Sequence, residues 1–153
     1  IKLSEEVRVV NTRYGEFTPL LDKAMQAYND GLGAGAVVYL RKIFEKITIK
    51  TAKAANIEYA QYNGGNPKNF SELLKKVDEK CSIIPKEFSA NGYKLFRELS
   101  GVVHGEYDEE AGLKSFEALH RLVIGILENV INHKELLDAI TVLGWNEERG
   151  EDK

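Results

Sequence analysis

The sequence predicts an all-α fold: an up-and-down bundle of four main helices with additions at both ends. Three observations carry this. Apolar residues recur at i, i+3, i+4 and i+7 over several long windows. Clusters of Gly, Asn and Pro separate those windows. The alternating pattern of a half-buried strand is confined to Val7-Arg8-Val9-Val10, near the start.

Residues 1–17 read as an N-terminal arm or short strand that ends at Tyr14-Gly15. Thr18-Pro19 reads as an N-cap followed by Pro at the first helical position. The first helix then runs to about Asn29 with Leu20, Leu21, Ala24 and Tyr28 on one face. Gly31, Gly33 and Gly35 end it in a tight corner. The second helix, about Ala34 to Ala55, carries the clearest buried stripe: Val37, Leu40, Ile43, Phe44 and Ile47. Tyr62-Asn63-Gly64-Gly65-Asn66-Pro67 is dense in turn residues and predicts an exposed loop. A third helix starts at Asn69 or Ser71, turns Leu73, Leu74 and Val77 inward, and stops near Cys81. A fourth begins near Ser89, places Tyr93, Phe96, Leu99 and Val103 inward, and ends at Gly105. A long fifth helix runs from about Ala111 to His133 on the stripe Leu113, Phe116, Leu119, Val123, Ile126 and Val130. A last short helix with Leu136, Leu137 and Ile140 follows, so the bundle occupies residues 18–143 and a charged tail 144–153.

The 153 residues suit one domain with one core. At 43% hydrophobic and 29% charged the chain is neither disordered nor a membrane protein, and no apolar run approaches the ~18 residues of a spanning helix. The opening Ile1-Lys2-Leu3-Ser4-Glu5-Glu6 turns acidic where a signal peptide would be apolar. A start without Met predicts a piece of a longer protein. The single cysteine, Cys81, permits no internal disulfide and fits a reducing, cytoplasmic setting as a small hydrophobe at a helix end.

The distribution of charge is more informative than its net of −3. Residues 41–97 hold 12 Lys and Arg against 6 acids, whereas residues 98–153 hold 5 against 13. Lys42, Lys46, Lys50 and Lys53 recur at helical spacing, either as a solvated helix face or as a ridge that follows a phosphate backbone.

Several chemistries are excluded. Gly31-Leu32-Gly33-Ala34-Gly35 follows no strand and meets neither the dinucleotide nor the phosphate-loop spacing. His104, His120 and His133 lie 16 and 13 residues apart with no partnering Cys, so no metal site and no cofactor is expected. His120, beside Leu119 and Val123, reads as a half-buried packing residue. His133 reads as a cation near a helix end, where it suits the dipole. What remains is Arg97-Glu98-Leu99-Ser100-Gly101-Val102-Val103-His104. Seven residues make nearly two helical turns, which places Arg97 and His104 on one side about 10 Å apart along the axis. Metal-free RNA cleavage needs this pairing. The imidazole takes the 2′-hydroxyl proton or hands one to the leaving oxygen. The guanidinium fork holds the scissile phosphate.

Pro19 through Thr48, followed by Leu95 through Gly105, resembles the HEPN superfamily of helical bundles, most of all a branch attached to restriction and anti-phage defence proteins. The likeness lies in the small-residue corner, in Ala34-Gly35-Ala36-Val37-Val38-Tyr39-Leu40-Arg41-Lys42-Ile43-Phe44-Glu45, and in a later helix ending in Arg97 and His104. The resemblance implies a homodimer in which Arg97 and His104 of two subunits form a ribonuclease cleft; the basic midsection and lysine spacing add Lys42 and Lys46 as RNA-binding assistants. The resemblance also implies that Arg41 and Glu45 form an internal polar pair that braces the fold or lines the cleft. The functional expectation is a metal-independent endoribonuclease of a defence or toxin system. The alternative is a catalytically inactive dimerisation or docking module of a larger defence or restriction protein. In that case the acidic final third pairs with the basic midsection of a neighbour. Two departures from the family pattern stand out. Glu98 follows Arg97 where a small polar or amide side chain is common. Tyr107 lies three places after His104 instead of two, so the role of the family's modified tyrosine is not carried over to it.

Overall fold

In the computed structural model, residues 13–101 and 109–145 are described, the side chains of residues 89–93 excepted. Five α-helices account for most of them: α1 (Thr18–Asn29), α2 (Gly33–Ala54), α3 (Phe70–Cys81), α4 (Gly92–Gly101) and α5 (Glu109–Val142). Short 3-10 turns occupy Gly15–Phe17 and Lys86–Asn91. The all-α class is as expected. The Val7–Val10 stretch, Val103, His104, Gly105, Tyr107 and the tail beyond Trp145 lie outside the described residues.

The strongest stripe in the sequence forms the hub. Helix α2 packs against all four other helices, because Val37, Leu40, Ile43 and Phe44 are fully buried around its girth and Ile47 nearly so. From α5 come Phe116, Leu119, Val123, Ile126 and Leu127; from α3, Leu73, Leu74 and Val77; from α4, Leu95 and Leu99. Aromatic rings tie the layers together. Phe70 lies 4.7 Å from Phe96, and Phe44 meets both edge-on, the geometry that ring quadrupoles favour. On the far side, Tyr28 of α1 stacks on Phe116 at 4.5 Å.

Contacts at the helix ends set the directions. The start of α1 lies by the later turns of α2, where Lys46 and Lys50 sit over Phe17, and its end lies by Phe116 and Glu117 of α5. Helices α2 and α5 therefore run in one sense, antiparallel to α1. They start backbone to backbone: a Cβ placed on Gly33 would meet the Glu109 carbonyl oxygen and the Leu113 nitrogen, and one on Gly112 would meet the Gly33 carbonyl. Gly31 does the other job at this corner, turning the chain with φ +80°.

Two boundaries differ from expectation, each for a local reason, and a third falls where expected. Thr18 is the first residue of α1 and not its N-cap, because the preceding 3-10 turn, closed by Phe17 N–H donating to the Tyr14 carbonyl at 3.1 Å, leads directly into the helix. Asn69 does cap α3, its side chain accepting from the Glu72 N–H at 3.2 Å. The fifth helix does not end at His133. It continues unbroken to Val142, so the expected last short helix is the end of α5, and His133, an interior residue, has no helix-end dipole to suit. No Gly or Pro interrupts the run after Gly125, so nothing in it breaks the ladder. At 34 residues α5 is about 50 Å long. Its last three turns carry exposed Leu136, Leu137 and Val142.

Candidate functional site

One face of α2 turns Arg41, Lys42, Glu45, Lys46, Ile49 and Lys53 toward the turn-rich loop that precedes α3. The loop is a small, well-braced hairpin. The Gln61 and Pro67 backbones pair across it. Tyr62 N–H donates to the Asn66 carbonyl at 2.8 Å, and Gly65 N–H donates to the Tyr62 carbonyl at 3.0 Å. The Tyr59 hydroxyl donates to the Gly65 carbonyl at 2.7 Å. Gly64 and Gly65 have φ of +99° and +95°, a conformation that a side chain resists. Between the helix face and this hairpin lies an open groove of about 830 Å³ with Phe70 and Ile49 in its apolar lining.

The groove is strongly cationic. Arg41, Lys42, Lys46, Lys53 and Lys68 line it against a single carboxylate, Glu45. The lysine ridge read from the sequence divides here. Lys42, Lys46 and Lys53 line the groove over about 16 Å of helix, although the Lys46 ammonium also lies 5.6 Å from the Phe17 ring centroid, on the α1 side. Lys50 turns away to pair with Glu16 at 3.0 Å. Arg41 and Glu45 sit one turn apart at 3.6 Å, an ion pair too long to be a hydrogen bond. The buried Nε of Arg41 accordingly has no hydrogen-bond partner among the described residues. Burial pushes the Glu45 carboxyl above its ordinary range, and the attraction of Arg41 and Lys42 only partly offsets this. As pH falls through that raised value, the groove loses its only negative charge.

The structure thus brings Arg41, Lys42, Glu45 and Lys46 into one groove. Arg97 is exposed on α4 and is not among the groove-lining residues. Its neighbour Phe96 packs on Phe70, which closes the groove floor. The geometry of the Arg97–His104 pair involves a residue outside the described ones. His120 is half-buried, 5.4 Å from the Phe116 ring, and burial pushes its pKa down. Cys81 is the last residue of α3 and packs partly against the core. No group of three or more His, Cys, Asp or Glu side chains suited to a metal ion occurs among the described residues. No described helix is long and apolar enough to cross a membrane.

No family model, curated protein or solved structure matches the chain.

Sequence reasoning missed Tyr62, Asn66 and Lys68. Tyr62 and Asn66 belong to a loop read only as an exposed turn, and Lys68 directly follows it. The loop's density of Asn, Gly and Pro was visible, but its position across from α2 depends on where α3 docks, and no local pattern encodes that.

Proposed function

We propose that the chain is an RNA-binding domain of HEPN type whose α2 groove holds the phosphate backbone and whose Arg97 and His104 cleave the strand without metal. The observation that carries the binding half is the concentration of five cations against one carboxylate in a single groove of a chain with net charge −3. Lysine ammoniums attract phosphates and release their counterions. The cleavage half rests on the resemblance and on the chemistry of the residue pair.

Binding is tested by fluorescence anisotropy of an unstructured RNA across a salt series. The parent is expected to show affinity that falls log-linearly with salt. Lys42→Ala and Lys46→Ala are each expected to make the slope shallower by roughly 0.7, the value for one phosphate contact on a single strand. Slopes that neither substitution changes would remove the groove from the interface.

A dimerisation module is the second reading, favoured by the free-standing end of α5. Leu136 and Ile140 of α5, with Leu143 in the turn just past its end, fall at the 4–3 spacing of a coiled-coil seam, Leu136 being 55% and Leu143 59% exposed. The segment is already helical because it continues a packed helix, so pairing with a second copy carries little ordering cost. Sedimentation equilibrium is expected to show a dimer that persists in high salt, unlike pairing between acidic and basic regions. The double variant Leu136→Glu/Ile140→Glu is expected to be a folded monomer. A monomeric parent, or a dimer that the double variant leaves intact, removes this reading.

A further inference from the structure

We infer that Tyr62 is a base-stacking platform which makes the groove selective for unpaired nucleobases. This rests on the proposed RNA-binding reading and extends it by naming the class of strand.

The geometry begins with a mismatch between exposure and rigidity. Tyr62 keeps 59% of its surface exposed, yet its backbone is among the best-fixed in the loop. Its N–H and carbonyl are both bonded within the hairpin, at 2.8 Å to Asn66 and 3.0 Å to Gly65. The hairpin is held in turn through Lys68 N–H donating to the Ala60 carbonyl at 2.9 Å and through the Tyr59 hydroxyl. An aromatic ring held up from a braced turn loses little conformational entropy when a planar ligand settles on it.

Position supplies the second argument. The ring belongs to the hairpin wall of the groove, with Lys42 and Lys46 on the α2 wall, while the Lys53 ammonium reaches over to the hairpin at Gly65. A strand whose phosphates follow the lysines turns its bases toward the other wall, which is where the ring stands. The Lys68 ammonium lies 5.7 Å from the ring centroid, so a cation already sits beside the exposed ring on which a base would stack. Alternation of backbone-binding cations with an aromatic platform is the arrangement that single strands require. A duplex keeps its bases stacked inside and offers such a ring only sugar and phosphate. A polyanion without bases offers it nothing.

The test compares three probes with the full chain at one salt concentration: a 2′-O-methyl oligouridylate, which cannot be cleaved through its 2′-oxygen, the duplex of the same length, and inorganic polyphosphate. The parent is expected to prefer the single strand. Tyr62→Ala is expected to lose roughly 5–150-fold on the oligouridylate, the range for one stacked base, with polyphosphate binding and melting temperature unchanged. Tyr62→Phe is expected to keep the parent's preference. Equal losses on oligouridylate and polyphosphate, no loss on either, or a parent that prefers duplex each overturns the stacking role while leaving the groove as a phosphate site. A parent that binds none of the three overturns the groove reading itself, and the stacking role with it.

Discussion

Valine at Gly112 is expected to cost the fold about 3 kcal/mol or more, the upper end of what overpacking does to a core, with a melting point roughly 6–12 °C lower at 2–4 °C per kcal/mol for a chain of this size. The reason is the crossing of α2 and α5. A Cβ at Gly112 would meet the Gly33 carbonyl carbon and oxygen and the Ala34 nitrogen. None of these is the movable end of a side chain, so relief requires the two longest helices to separate. Alanine at Gly33 repeats the experiment from the other side, where the Glu109 carbonyl and the Leu113 nitrogen are the obstacles. Its expected cost is about 1–3 kcal/mol, despite the gain of about 1 kcal/mol in helix propensity over glycine. Gly35, two residues along the same helix, is the control. A Cβ there finds only the Leu32 Cβ at 3.9 Å, an ordinary contact, so Gly35→Ala is expected to stabilise by about 0.5–1 kcal/mol. Thermal unfolding of the three variants checks the signs. A neutral Gly33→Ala or Gly112→Val would mean that the helices do not touch there.

Those glycines also mark how far the sequence was legible. The run Gly31, Gly33, Gly35 identified a corner between two helices, and a corner is there. But three identical residues at regular spacing have three different reasons: a left-handed turn at Gly31, a backbone contact at Gly33, and neither at Gly35. Only the partner helix, almost eighty positions later, separates them. The buried stripe of α2 was legible because a 3.6-residue period is a local property. The long α5 was split in error for the same reason. Its apolar face changes character after Val130, from a stripe facing the core to exposed Leu136 and Leu137. A change of partner along one helix looks, in sequence, like a change of element. The functional residues divide in the same way. Arg41, Lys42, Glu45 and Lys46 share a helix face that spacing reveals. Tyr62 and Lys68 reach the same groove through tertiary docking, and no window of sequence contains both walls. Of the four lysines at helical spacing, three line the groove and Lys50 is diverted by Glu16, a partner thirty-four positions away.

Replacing His104 by alanine is expected to lower RNA cleavage in EDTA by ~10²–10⁴-fold, the usual worth of a positioned general acid or base. Arg97→Ala is expected to cost ~10²–10³-fold through loss of charge stabilisation at the phosphate. Because the two act on one transition state, the double variant should fall little below the weaker single variant. Multiplicative losses would mean that the two residues act independently. Binding separates the two halves of the proposal. His104→Ala should leave affinity for a non-cleavable RNA unchanged, since a general acid or base acts on the transition state and not on ground-state binding. Glu98 sharpens the expectation, because a carboxylate adjoining Arg97 opposes the approach of a phosphate. Glu98→Gln is therefore expected to raise cleavage if Arg97 is the clamp, and to leave it unchanged if it is not. If the parent and His104→Ala cleave equally in EDTA, or neither cleaves, the nuclease assignment falls. The groove then stands as a binding site on a helical scaffold, with its chemistry supplied by another domain or by none.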